Sequence, residues 1–152
     1  MQDGVQLKYG HIRGGKIAVS VTDAGSQVIT AASGKFVYMT AGAATLSADA
    51  IGSIFGHLEA EAQTTASGGE SFNCIIDPTA VYRIPVNAGT YVVGMIGDTC
   101  DISISNDVQG AQLNASDENT LLVVGGDAVN NNWVDVMIVQ STVGSAEGGV
   151  DD

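Results

Sequence analysis

Short apolar runs alternate with turn residues along residues 82–139. This alternation restricts the possible folds more than any other feature of the sequence. The stretch is YRIPVNAGTYVVGMIGDTCDISISNDVQGAQLNASDENTLLVVGGDAVNNNWVDVMIV. Its runs are rich in Val, Ile, Thr and Tyr, which favour strands, whereas the Gly, Asn and Asp between them favour turns. Closely spaced short strands predict an all-β fold, either a β-sandwich or a small β-barrel, in a single domain.

The same signals place individual strands along the chain. Residues 16–22 alternate apolar and polar side chains, and residues 101–105 do so with Ile102 and Ile104 inward and Asp101 outward. Residues 41–50 are ambiguous, because their alanines favour a helix although the segment is short and has no apolar stripe. Turns are predicted at 106–110 and 125–132, and the other strands at 27–31, 35–40, 53–63, 70–76, 81–86, 90–96, 111–115, 119–124 and 133–140.

The domain organisation follows from length and composition. A chain of 152 residues is long enough for one domain with a substantial core. Several glycines interrupt residues 1–15, which we interpret as an N-terminal arm. Residues 16–140 are expected to form the β-domain. Residues 141–152 have little to bury and are expected to form a flexible acidic tail.

Charge is scarce and unevenly distributed. The chain has 5 basic and 17 acidic residues, a net charge of −12, and residues 84–152 contain no Lys or Arg. Nucleic-acid binding requires basic side chains that neutralise phosphates, so we expect no nucleic-acid partner. An acidic body with a mildly basic start suits docking on another protein.

No secretion signal or membrane segment is expected. The start, MQDGVQLKYGHIRGG, lacks the continuous apolar core of a signal peptide. The longest apolar stretches, residues 91–97 and 121–126, have the length of strands and are too short to span a bilayer. We therefore expect a protein that is made in the cytoplasm and has no membrane partner.

The two cysteines, Cys74 and Cys100, fit neither a disulfide framework nor a zinc motif. The favoured interpretation is that both are small buried apolar side chains. A single disulfide between them is the alternative.

One predicted strand offers a candidate metal site. His57, Glu59 and Glu61 alternate along it, so an imidazole and two carboxylates would share one face and suit a divalent ion. A solvent-facing row is the favoured interpretation, because no second histidine or ligand-spacing motif accompanies it. Turn aspartates suit Ca²⁺ less well than they suit bonds to their own backbone. We expect no metal and no cofactor.

A catalytic signature is absent from the sequence. The chain has two histidines, His11 and His57, and no G-x-S-x-G motif for a nucleophile. Its glycine pairs lack the flanking residues of a P-loop or a dinucleotide-binding motif. We therefore predict no catalytic residues and no enzymatic activity, with a hydrolase on a β scaffold as an alternative class.

Three segments of the chain resemble a known family. They are YRIPVNAGTY, GDTCDI and the late strand pair LLVVGGD and WVDVMIV. In order and character they resemble the small head decoration, or cement, proteins of tailed bacteriophages. The resemblance implies a structural virion protein, often a homotrimer, on the outer surface of the capsid. It would bind the expanded lattice and stabilise it without catalysis.

The resemblance makes the major capsid protein the expected partner, and the N-terminal arm is the contact that we predict. Its basic side chains would reach capsid acids, and its apolar side chains would fill pockets. The predicted contact residues are Leu7, Lys8, Tyr9, Ile12, Arg13 and Lys16.

A second interpretation is a carbohydrate- or host-surface-binding β-module of a virion tail or fibre. Trp133 is the single tryptophan and follows a polar loop, which suits a sugar platform or an interface anchor. The residues of this alternative site are Asn131, Asn132 and Trp133. A core position is the favoured interpretation of Trp133, because tryptophan is strongly buried on average.

Overall fold

Strands dominate the part of the chain that the structure describes. The structure is a computed structural model, and it describes residues 6–9, 16–20, 35–40, 42–47, 51–58, 71–106, 108–115 and 117–139. The predicted all-β class is confirmed. Within these ranges lie a 3-10 helix, Val93–Met95, and the strands β1 Gln6–Tyr9, β2 Lys16–Ser20, β3 Lys35–Thr40, β4 Ala43–Leu46, β5 Gly56–Leu58, β6 Ser71–Ile75, β7 Val81–Ala88, β8 Thr99–Ser105, β9 Val108–Gln112, β10 Leu121–Gly126 and β11 Trp133–Ile138.

The described strands form two sheets, and the larger one closes on itself. Its strand order is β1-β7-β11-β10-β8-β9, and β9 also pairs with β7. The strands from β7 round to β9 therefore form a small closed barrel. Neighbours in this ring are antiparallel, except that β7 and β9 are parallel. The ring has five strands. If neighbouring strands alternate in direction around an odd-numbered ring, the last strand runs the same way as the first, so one pair must be parallel.

Strand β7 lies at the centre of this arrangement because three strands pair with it. β11 pairs along one edge, while β1 pairs with the first half of the other edge and β9 with its second half. Residues 6–9 of the predicted arm thus form a strand. Residues 1–5, residues 10–15 and the predicted tail, 141–152, lie outside the described residues.

A second, antiparallel sheet has the order β2-β6-β5-β3-β4. β3 has the predicted bounds, 35–40, and β2 begins at residue 16 as predicted. The ambiguous segment 41–50 contains the strand β4, which forms a hairpin with β3. Pairing with β3 outweighs the helix preference of the alanines, since strand formation depends strongly on neighbours.

The two sheets share one hydrophobic core. Phe36 and Ile54 belong to the same buried cluster as Tyr82 and the inward residues of the barrel. The ring centroids of Phe36 and Tyr82 are 5.1 Å apart in an edge-to-face arrangement, which aromatic rings prefer. A smaller cluster, which includes Val37 and Leu58, lies on the other face of the second sheet, because successive strand residues point to opposite faces.

Four predictions within the barrel are wrong. Strand β9 begins inside the turn predicted at 106–110, and residues 90–96 contain the 3-10 helix instead of a strand. Ile102 is buried as predicted, but Ile104 is 39% exposed. Asp101 is buried because its carboxylate accepts hydrogen bonds from the backbone N–H groups of Asp117, Glu118 and Asn119.

Candidate functional site

The predicted capsid-contact residues are distributed between two sheets. β1 pairs with β7 on the barrel, whereas β2 pairs with β6 in the second sheet. The contact itself stays a prediction. Of the six residues, Ile12 and Arg13 lie outside the described residues, Lys16 opens β2, and β1 contains Leu7, Lys8 and Tyr9.

In the alternative surface site, Asn131 is engaged inside the molecule. Its Oδ1 accepts a hydrogen bond from the Tyr91 N–H at 2.7 Å, and its Nδ2 donates to the Gly89 carbonyl at 3.0 Å. Its φ of 55° lies in the left-handed region, which asparagine tolerates. The Asn131 side chain therefore connects the β10–β11 turn to the segment after β7. Its amide groups are engaged in these hydrogen bonds, which argues against a role in sugar binding.

Trp133 begins β11 as predicted, but it is half-buried and lies outside the core clusters, so the core interpretation is wrong. The guanidinium carbon of Arg83 lies 3.4 Å from the centroid of its ring. The same guanidinium pairs with both carboxylate oxygens of Asp135, at 2.8 and 3.1 Å. One face of the indole is thus covered by a cation that a carboxylate holds in place. Asn132 is exposed beside this stack.

An exposed apolar surface lies at one end of the barrel. Between β7 and β8, Val92 is 53%, Val93 64% and Ile96 54% exposed, and on the β10–β11 turn Val129 is 89% exposed. We call these four residues the apolar cap. Single exposed apolar side chains are ordinary, but three of them within residues 92–96 and a fourth at the same end of the barrel suit a contact surface between proteins.

Residues 91–97, which we call the cap segment, are held against β10 by contacts at both ends. Tyr91 is buried, and a Cβ at Gly126 would lie 2.8 Å from its ring, so only glycine leaves room for the ring there. At the other end, the Gly97 N–H donates to the Val123 carbonyl at 2.9 Å. With the bridge from Asn131, these contacts fix the cap before a partner binds, which lowers the entropic cost of binding.

The cap segment turns as a 3-10 helix because glycines interrupt its apolar run. The Met95 N–H donates to the Val92 carbonyl at 2.9 Å. Gly97 has a φ of 97°, which side chains with a Cβ rarely adopt. Sequence reasoning missed this site by assigning residues 90–96 to a strand. The available signal was Gly94 together with Gly97, since glycine inside a strand pattern marks an interruption.

A cleft of about 530 Å³ opens beside the cap. Cys100 and Val123 contribute buried apolar lining, and Met95 and Leu113 are half-buried in its walls. Asp98 is exposed where the cleft meets solvent. Met95 and Gly97 line the cleft and flank Ile96 of the cap in the chain, so the cleft adjoins this part of the cap.

Acidic groups border this surface. Asp98 lies at the cleft and Asp127 in the β10–β11 turn. The backbone N–H of Asn130, followed by that of Val129, holds the pKa of Asp127 below its ordinary value. Asp127 is therefore charged at neutral pH, and it bonds its own turn, as predicted for turn aspartates.

Of the candidate metal row, only His57 lies among the described residues. His57 is 5% exposed and packs its ring against Phe36 and Tyr82, so its predicted solvent-facing position is wrong. Glu59 and Glu61 lie outside the described residues. In the part of the chain that the structure describes, no group of three or more His, Cys, Asp or Glu side chains is placed to hold a metal ion. The same ranges contain no helix with the length and apolar character to cross a membrane.

Comparison with protein-family models, with curated proteins and with solved structures found no match. Function is therefore inferred from the residues themselves and from the cap, the cleft and their acidic border.

Proposed function

We propose that this protein is a non-enzymatic structural virion protein, which binds the outer surface of the expanded capsid lattice of a tailed phage and stabilises it. The apolar cap is the observation that carries the proposal, because a fixed and exposed apolar surface suits contact with another protein. The sequence resemblance to head decoration proteins supports the major capsid protein as the partner. Assembly would take place in the host cytoplasm.

The proposed mechanism needs no catalytic group. A protein that binds the expanded lattice, and not the lattice before expansion, stabilises the expanded state by mass action. Avidity over a repeating shell adds to this effect. A closed barrel suits the task, because a ring of paired strands leaves few free edges to associate with other chains.

The assembly state is proposed to be a homotrimer, as the family resemblance implies. Closed symmetry would present several caps to the lattice together. Light scattering on the purified protein tests this proposal directly. A mass of three times 15.4 kDa would support the trimer, and a single 15.4 kDa species would contradict it.

The N-terminal segment is proposed as a second capsid contact. Deleting residues 1–15 is a poor test, because the deletion also removes β1 from the edge of β7. Charge reversal by Lys8→Glu together with Arg13→Glu leaves the backbone in place. Reduced capsid binding by this folded variant is expected, and unchanged binding would contradict the contact.

Quantitative mass spectrometry of purified virions, scaled to the major capsid protein, tests the proposed function. A lattice binder repeats with the symmetry of the shell, so we expect a copy number on the order of one per capsid subunit. A handful of copies per particle would favour the alternative of a tail or fibre module. Absence of the protein from the particle would reject a virion role altogether.

A further inference from the structure

We infer that the cleft beside the apolar cap receives one large apolar side chain of the capsid protein, next to a Lys or Arg that pairs with Asp98. The inference rests on the proposed function and specifies the chemistry of the partner's surface. It places the main contact in the part of the chain that carries no Lys or Arg, and it leaves the N-terminal segment as the second contact.

The cleft suits an apolar anchoring side chain because five of its nine lining residues are apolar, namely Met95, Cys100, Leu113, Ala115 and Val123. Hot-spot residues of protein interfaces are large side chains that fill desolvated pockets and are surrounded by weaker contacts. The cleft provides the pocket, with Val123 and Cys100 as buried lining, and the cap provides the surrounding apolar contacts. Met95 lies between the two, and its flexible thioether can adapt to the shape of the inserted group.

The walls of the cleft are held by backbone hydrogen bonds. The Gly97 N–H donates a hydrogen bond to the Val123 carbonyl at 2.9 Å, and the Val123 N–H donates to the Asp98 carbonyl at 2.9 Å. On the opposite wall, the Leu113 N–H donates to the Ala88 carbonyl at 2.8 Å. The cleft therefore exists before binding, and little ordering is required when a side chain enters.

Charge selects the occupant. Asp98 lines the cleft, Asp127 shares the β10–β11 turn with Val129 of the cap, and no basic residue follows Arg83 in the sequence. A second copy of this chain docked by the same face would bring these acids together, and like charges at an interface are unfavourable. In contrast, a partner that carries a Lys or Arg beside its apolar anchor is attracted electrostatically to these carboxylates.

The test is binding of the full-length protein to purified, expanded capsid shells that lack it, measured by cosedimentation. Ala115→Leu fills the cleft from its lining, and Ala43→Leu makes the same change on β4 of the second sheet. Ala115→Leu is expected to weaken binding about tenfold or more, whereas Ala43→Leu changes it less than about twofold.

A charge variant decides the question even if Ala115→Leu disturbs folding. Asp98→Asn removes the exposed carboxylate at the cleft, and Asp117→Asn removes an exposed carboxylate that does not line it. Asp98→Asn is expected to weaken binding about three- to tenfold at low salt, and to reduce the salt dependence of binding. Asp117→Asn is expected to bind like the unchanged protein.

The outcomes separate the two proposals. If the unchanged protein binds shells and both Ala115→Leu and Asp98→Asn bind equally well, the cleft inference is overturned while the proposed function stands. If Ala115→Leu unfolds, equal binding by Asp98→Asn and Asp117→Asn overturns the inference. If the unchanged protein does not bind, the proposed function is rejected and the inference with it.

Discussion

Gln109 joins the barrel to the second sheet through one side-chain amide. Its Oε1 accepts from the Phe36 N–H at 2.7 Å, and its Nε2 donates to the carbonyls of Phe36 and Ser47, both at 2.8 Å. The amide is fully buried and imitates a neighbouring strand by satisfying both backbone groups of Phe36. A buried polar side chain is stable here because all these groups have partners.

Replacing this amide should destabilise the whole fold. Gln109→Leu keeps a similar volume but removes three buried hydrogen bonds, so we expect the free energy of unfolding to fall by about 2–4 kcal/mol. Urea denaturation measures the change. Gln112→Leu, on the same strand but partly exposed, is the matched control and should change stability by less than about 0.5 kcal/mol. Equal effects of the two substitutions would contradict the role of Gln109.

Both cysteines are free and buried, as the favoured interpretation predicted, and they lie in different core clusters. Burial raises the pKa of Cys74 to about 12. Burial, with a further contribution from the charge of Asp101, raises the pKa of Cys100 to about 12. The folded protein therefore keeps both thiols neutral at a pH where the unfolded chain ionises them.

Thiol chemistry should report this burial. We expect no reaction with Ellman's reagent at about pH 8 in the folded protein, and reaction of both thiols after denaturation. The stability that the neutral thiols contribute is complete below their ordinary pKa of 9.0 and is lost as the pH rises through about 12. The double variant Cys74→Val, Cys100→Val should therefore lose less stability between about pH 9 and 11. Rapid labelling of the native protein would contradict this account.

At the scale of elements, the closure of the barrel depends on Asn87. Its side-chain amide donates to the Ser103 carbonyl on β8 at 3.1 Å and to the Val108 carbonyl on β9 at 3.3 Å. In this position the Asn87 side chain lies over Gly110, and a Cβ added at Gly110 would be 2.5 Å from the Asn87 amide. Glycine at this position lets one side chain of β7 connect three strands at the parallel pair that closes the ring.

Filling the space at Gly110 should strain that closure. Gly110→Ala is expected to lower the free energy of unfolding by about 1–3 kcal/mol, because the new methyl group overlaps the Asn87 amide. In an Asn87→Ala background the same substitution should cost clearly less, since the overlap is removed. A double-mutant cycle from urea denaturation measures this coupling. Additive costs would contradict the proposed contact.

The apolar cap is the element whose surface role is easiest to isolate. Ile96 on the cap and Ile104 at the end of β8 are both exposed isoleucines, so the same change at each forms a matched pair. Ile96→Ser is expected to weaken binding to expanded capsid shells about five- to twentyfold, and Ile104→Ser less than about twofold. Circular dichroism should show both variants folded. A larger loss from Ile104→Ser would place the contact elsewhere.

At the scale of the whole molecule, the net charge of −12 acts against compactness. Folding brings acidic side chains closer together, and no base after Arg83 offsets them. The ion pair of Arg83 with Asp135 neutralises one of these acids on the barrel surface. The remaining repulsion favours solubility and lowers the stability of the compact state.

Salt should therefore stabilise the protein. Raising NaCl from about 0.02 to about 0.5 M screens repulsion between carboxylates, and we expect Tm to rise by roughly 2–5 °C. Differential scanning calorimetry measures this shift. The variant Asp98→Asn, Asp117→Asn should show a higher Tm at low salt and a smaller rise. A Tm that falls with salt would mean that attractive ion pairs dominate.

Local patterns predicted the parts of this fold that depend on neighbouring residues. The bounds 35–40 of β3, the start of β11 at Trp133 and the burial of Cys74 and Cys100 follow from period-two alternation, turn residues and apolar character. Each of these signals lies within a few residues of the element that it predicts. The apolar run at residues 91–97 could also be identified from the sequence, but its exposure to solvent could not.

The sequence by itself determined an acidic all-β chain with no base after Arg83, because composition and periodicity are properties of the chain alone. The tertiary structure decided that β7 and β9 close a ring, that His57 and Asp101 are buried, and that an apolar run becomes an exposed cap. Each of these depends on contacts between segments far apart in the chain, such as Tyr91 on Gly126. Local periodicity cannot specify such contacts. It indicates on which face of a strand a side chain lies, but not which distant segment packs against that face.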